Sequence, residues 1–163
     1  MKTLLIVWHS RTGGARQMAE AAARAAAAET GVETRSLFAP DAQPDDLLAA
    51  DGYLFVCPEN LATMSGAMKE FFDRCYYPCL ERLNGRPYAA MICAGSDGTG
   101  AARQLVRIAT GWRLKAVAEP LIVNVSAQTP QAIAAEKTLT PAELAPCADL
   151  GATLAAGVAM GVF

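Results

Sequence analysis

Apolar runs of strand length recur along this chain with amphipathic stretches between them, and that alternation limits the fold more than any single residue. The runs are residues 3–8 (TLLIVW), 52–57 (GYLFVC), 88–93 (YAAMIC) and 116–125 (AVAEPLIVNV), with a weaker one at 32–37 (VETRSL). Nearly continuous apolar strands read as parallel strands covered on both faces. The run at 32–37 alternates and suits an edge. The run at 116–125 contains Pro120, which cannot donate to a ladder and also belongs at an edge. Helical spacing appears at 14–28, at 65–77 with Ser65 as a candidate N-cap, at 99–112, and within 141–160 closing on Gly161. Any helix between the second and third strands is short, and 126–140 reads as loop. Strands alternating with helices imply an α/β three-layer sandwich with right-handed crossovers. With the second and fifth strands at the edges, a five-stranded parallel sheet of order 2-1-3-4-5 is expected. No repeat, charge run or linker divides the chain, so a single domain over 1–163 is expected.

A net charge of −2 disfavours a nucleic-acid partner. The opening "MKTLLIVW" is too short for a signal peptide or a membrane span, and the alanine run at 19–28 is broken by Glu20 and Arg24. Five cysteines, an odd count, point to reduced thiols in a cytoplasm. Cys75 and Cys79 lie one helical turn apart in "CYYPC". A metal there would need two more ligands, and the sole histidine, His9, is distant in sequence. Structural cysteines are therefore expected, and no metal site.

In the order 2-1-3-4-5 the loops after strands 1, 3 and 4 converge at the point where ligands bind. They are "HSRTGG" (9–14), "PENLATMSG" (58–66) and "AGSDGTG" (94–100). The first reads equally as an anion nest at a helix N-terminus or as a plain connection. In the nest reading Ser10 and Thr12 donate hydroxyls and Arg11 adds charge. Small residues in the second loop would let backbone approach a flat ring. The third has three glycines in seven residues, more freedom than a simple connection needs. Each loop has an ordinary reading, but three at neighbouring positions weigh more than one. The first loop is not Gly-x-Gly-x-x-Gly, lacks the lysine of a nucleotide-hydrolase loop, and holds no cysteine for a thiol phosphatase. His9 reads as a loop hydrogen-bonder rather than a general base.

These residues resemble the flavodoxin-like superfamily. "HSRTGGARQMA" is similar to its FMN phosphate loop. "PENLATMSGAMKEFFDR" resembles the second FMN loop of the NAD(P)H-dependent FMN reductase and quinone reductase branch, with Pro58, Glu59, Met64, Ser65, Gly66, Lys69 and Asp73 in register. Asn60, Leu61 and Ala62 stand where that branch has Tyr, Asn and Gly. The resemblance implies an FMN site in three parts. The first is His9, Ser10, Arg11, Thr12, Gly13, Gly14 and Ala15. The second is Pro58, Glu59, Asn60, Leu61, Ala62, Thr63 and Met64, and the third is Gly95, Ser96, Asp97, Gly98 and Thr99. It implies electron transfer from NAD(P)H through FMN to an acceptor such as a quinone or free flavin, with no catalytic side chain. A non-enzymatic electron carrier is the alternative. The absence of aromatics in the second and third loops, and of strong acidity, leans toward the reductase. A homo-oligomer, dimer or tetramer, is expected from the branch. Tyr76 and Tyr77 either serve it or merely cover the core.

Overall fold

A computed structural model describes residues 1–163. Four strands form the middle and one edge of a parallel sheet: β1 (Lys2–Trp8), β2 (Val32–Phe38), β3 (Gly52–Asn60) and β5 (Pro87–Ala94). The sheet runs β2-β1-β3-β5-β6, with β6 being Lys115–Ala116. The helices are α1 (Gly14–Ala26), α2 (Pro44–Ala49), α3 (Gly66–Cys79), α4 (Thr99–Gly111), α5 (Pro130–Ala134) and α6 (Pro141–Met160).

The sheet has seven strands, not five. The expected fifth strand is two pieces, β6 and β7 (Leu121–Asn124), both parallel to β5. The break falls at 117–120, where Pro120 has no N–H to donate. The other addition is β4 (Thr63–Met64), which folds back antiparallel on the end of β3. The segment 126–140 is not all loop either. Thr129 caps α5 by accepting from the Ala132 N–H at 3.2 Å, and Pro130 occupies the first helical position. Helix α6 starts the same way, from Thr140, Pro141 and a reciprocal Glu143, and stops at Gly161 with φ +68°.

Alternate residues of each central strand face opposite layers. Tyr53, Phe55 and Cys57 point toward α3 and α4, while Leu54 and Val56 point toward α1 and α6. The first layer is aromatic: the Phe72 ring lies 5.1 Å from Phe55 and 5.2 Å from Trp112, both edge-on. Each such buried side chain contributes about 1.5–3 kcal/mol. The second layer is alanine-rich and tighter. A Cβ on Gly151 of α6 would stand 2.4 Å from the Ala22 carbonyl of α1, so only glycine permits that helix contact. All five cysteines are free and buried. Burial pushes the Cys57 and Cys75 thiols up to about 12 and those of Cys93 and Cys147 to about 11, so they are protonated at neutral pH. No helix is long and apolar enough to cross a membrane.

Candidate functional site

Strand order reverses at β1, so the loops leaving β1 and β3 splay apart and leave a crevice at the carboxyl ends of the strands. A cavity of about 710 Å³ fills it. That volume lies within the usual range for small-molecule sites.

The β1 end of the cavity is built from backbone. Gly13 adopts φ +95°, turning the chain into α1, and its N–H donates to Ser10 Oγ at 3.1 Å. The Ser10 hydroxyl hydrogen is therefore free for another acceptor. The N–H groups of Arg11, Thr12, Gly14, Ala15 and Arg16 have no partner within the chain. Five donors and a helix dipole thus gather where no side chain caps the helix. Gly14 permits this approach: a Cβ there would stand 2.5 Å from Cys93 Sγ on β5. This donor set suits a phosphate, and the cavity volume suits a mononucleotide attached to it.

The opposite wall is a hairpin. Residues Glu59 and Asn60 pair with Met64 and Thr63, leaving Leu61 and Ala62 as a two-residue turn. Both have positive φ, 53° and 66°, the type I′ geometry that Asn-Gly adopts with little strain. This chain holds it with side chains that strain there by about 1 kcal/mol each. The turn is clamped to α4. The Glu59 carboxylate accepts from the Gly98 N–H at 2.8 Å and the Ala101 N–H at 3.0 Å. The Met64 N–H donates to Gln104 Oε1 at 2.8 Å. Gly100 lies so close that its Cβ would stand 2.0 Å from the Ala62 carbonyl oxygen.

His9 joins the two sides from beneath. Its ring Nδ1 lies 2.8 Å from Ser65 Oγ, and its backbone N–H donates to the Val56 carbonyl at 2.9 Å. Burial, and secondarily the Arg11 charge, hold the imidazole below its ordinary value, so it is neutral at pH 7. Ser65 is the N-cap residue of α3 but caps nothing with its hydroxyl, which His9 occupies.

The structure brings Ser10, Arg11, Thr12, Gly14 and Ala15 to the cavity with Pro58, Glu59, Asn60, Leu61 and Ala62. Gly95 and Ser96 complete the expected lining. Seven expected residues do not line it. In the first loop His9 turns to Ser65 and the Gly13 N–H to Ser10, and Thr63 and Met64 form the return strand of the hairpin. Asp97, Gly98 and Thr99 turn away into the α4 cap. Thr99 Oγ1 bonds the Asp97 carboxylate at 2.8 Å, and the Gly98 N–H belongs to Glu59. The cavity gains Cys93, Ala94, Val125, Ala127, Ile133 and Lys137, which sequence reading missed. The last two come from α5 and the segment behind it. Their signal was the Thr129-Pro130 start, which matches the Thr140-Pro141 start of α6.

Comparison with known proteins places this geometry. The family model for NADPH-dependent FMN reductase matches residues 39–129. It takes in the hairpin and the loop after β5 and leaves the first loop outside. A flavodoxin of Aquifex aeolicus is 32% identical over 100 residues, covering 61% of this chain and 54% of that protein. An NAD(P)H dehydrogenase (quinone) of Acidithiobacillus ferrooxidans is 34% identical across 45% of this chain and 47% of its own length. The chain thus spans about half the length of the curated relatives it matches. In fold it resembles a WrbA-like flavodoxin of Agrobacterium tumefaciens, with TM-score 0.76, 18% identity, and 98% and 99% of the two chains covered. The rubredoxin oxygen:oxidoreductase of Desulfovibrio gigas superposes with TM-score 0.78 at 13% identity, over 99% of this chain and 37% of that one. The fold is flavodoxin-like, and the chain, matched over more than half its length, belongs to the NADPH-dependent FMN reductase family.

Proposed function

We propose that this protein is an oxidoreductase that binds FMN and passes electrons from NAD(P)H to an acceptor such as a quinone or a free flavin. The observation that carries the reading is the open N-terminus of α1, five unpartnered N–H groups beside a cavity whose farther lining mixes Pro58, Leu61, Ala62 and Val125 with Glu59, Asn60 and Ser96. Ser10, Thr12 and the backbone of Gly14 and Ala15 would hold the phosphate. Pro58, Leu61 and Ala62 from the hairpin, and Gly95 and Ser96 from the loop after β5, would border the ring. Bound FMN supplies the two-electron chemistry that no side chain here can. The residues of this chain bind, orient and shield. Cys93 stays protonated and acts as a small apolar wall. Glu59 serves as a brace, because both its oxygens already accept N–H bonds. No aromatic side chain lines the cavity, which would leave room for a flat second substrate to stack on the ring.

A second reading, a non-enzymatic electron carrier, draws on the flavodoxin-like first loop and the flavodoxin relative. Titration with FMN, followed by quenching of its fluorescence, tests the shared cofactor; no binding would overturn both. Steady-state NADH and NADPH oxidation with a quinone separates them, since a carrier alone turns over almost nothing. The reading extends to one domain over 1–163 and a cytoplasmic site, in keeping with five free thiols. It also includes a homo-oligomer through the exposed Tyr77 and half-exposed Tyr76. Light scattering of wild type and Tyr77→Glu measures that last point.

A further inference from the structure

The geometry points to Lys137 as the cation that pairs with the ligand's phosphate at the open end of α1, held there by Gln17. This rests on the FMN reading above. Lys137 lies in the short segment between α5 and α6, and that segment is stitched to the first loop. The Lys137 N–H donates to the Thr12 carbonyl at 2.7 Å. The Gln17 side-chain amide does the rest. Its Nε2 donates to the Lys137 carbonyl at 2.7 Å and to the Gly13 carbonyl at 2.9 Å, and its Oε1 accepts from the Leu139 N–H at 3.0 Å. One amide therefore fixes the strap to the turn that opens α1.

The consequence is where the lysine stem starts. Lys137 Cβ lies 3.7 Å from the position a Gly14 Cβ would take, beside the unpartnered N–H groups. The side chain borders both the main cavity and an adjoining one of about 530 Å³, so its ammonium has room to swing. At present it donates to two neutral acceptors, the carbonyls of Ile133 at 3.0 Å and Ala135 at 2.6 Å. A phosphate oxygen is a stronger partner than a carbonyl. The neighbouring cations are less suited. Arg16 is engaged by Glu20 at 3.2 Å and lies 3.9 Å from Glu136. Arg11 is exposed, and the N–H of its own backbone is unpinned. Glu136 makes a cation more necessary, because its Oε1 sits 3.1 Å from where a Gly13 Cβ would be.

The test compares FMN with riboflavin, which has the same ring and ribityl chain but no phosphate. Affinities for both are measured by fluorescence quenching in wild type, Lys137→Gln, Lys137→Arg and Arg11→Gln. We expect Lys137→Gln to weaken FMN binding about tenfold and to leave riboflavin unchanged. Lys137→Arg should recover most of the loss, Arg11→Gln should lose less, and added salt should weaken FMN binding less in Lys137→Gln than in wild type. Unchanged FMN affinity in Lys137→Gln overturns the inference. Equal losses for FMN and riboflavin also overturn it, since the strap would then shape the cavity and not meet the phosphate. A wild-type protein that binds neither flavin overturns the cofactor reading itself.

Discussion

Two helices, α1 and α4, begin almost identically and end up with opposite roles. Each follows a parallel strand, and each is preceded by a glycine in the left-handed region, Gly13 at φ +95°, ψ −13° and Gly98 at φ +94°, ψ −17°. Neither N-cap residue offers a side chain. Both therefore present a ring of N–H donors and a positive dipole end. At α4 the chain supplies its own anion, the Glu59 carboxylate. At α1 it supplies none. A helix start satisfied from within is a structural joint; the same start left open beside a cavity keeps its N–H donors available to an anion from outside. The glycine pattern alone cannot tell them apart.

The largest expected effect comes from removing the internal anion. Glu59→Ala leaves two buried donors, the N–H groups of Gly98 and Ala101, without partners and should cost about 3 kcal/mol of stability. For a chain of this size that lowers the melting temperature by roughly 6–12 °C. The variant also turns α4 into a second open N-terminus. Acetate or formate should then raise its melting temperature more than that of wild type. If neither anion recovers stability, the equivalence of the two helix starts fails.

The second effect acts on the open helix. Gly14→Ala drives a methyl into Cys93 Sγ and should cost about 1–3 kcal/mol, with a loss of FMN affinity of about tenfold or more as the cradle shifts. The double variant Gly14→Ala with Cys93→Ala removes the obstructing sulfur and should restore much of both. Additive losses in the cycle would mean the two residues do not meet.

The strand order was readable because nearly continuous apolar runs, an alternating second run and Pro120 together leave few arrangements. The open start of α1 was readable because the residues that make it, Ser10 to Gly14, are local in sequence. The hairpin was hidden: Leu61-Ala62 is a poor pair for a type I′ turn, so nothing in the loop announces that β3 folds back. The role of Glu59 was hidden for another reason. Its partners lie 39 and 42 residues away, and a carboxylate in a loop carries no mark of whether it meets a ligand or a helix end. Helix α5 has five residues, too few for any periodicity to show, although its Thr-Pro start could have been read. Lys137 followed from α5 and was missed with it.

The hairpin supplies a smaller test. Ala62→Gly relieves the left-handed strain of one residue and offsets part of it by loosening the unfolded chain, a net gain of about 0.5 kcal/mol. The expected rise in melting temperature is roughly 1–2 °C. A fall instead would mean that the Ala62 methyl makes contacts worth more than its strain.

The smallest effect tests what ties the open start of α1 to the neighbouring α3, where His9 meets Ser65. The folded state holds the imidazole neutral, below its ordinary value near 6.5. Between the lowered value and 6.5 the unfolded chain binds the proton more readily, so stability rises with pH across that window. The contribution of His9 is complete above pH 6.5 and is lost as pH falls toward the folded value. Denaturant unfolding at pH 5 to 7.5 should show this slope in wild type. His9→Asn keeps a polar side chain in the same place without a titrating ring and should flatten the slope. An unchanged slope would assign the pH dependence to carboxylates elsewhere. If the slope does flatten, mild acid weakens the joint between the loop that opens α1 and the start of α3.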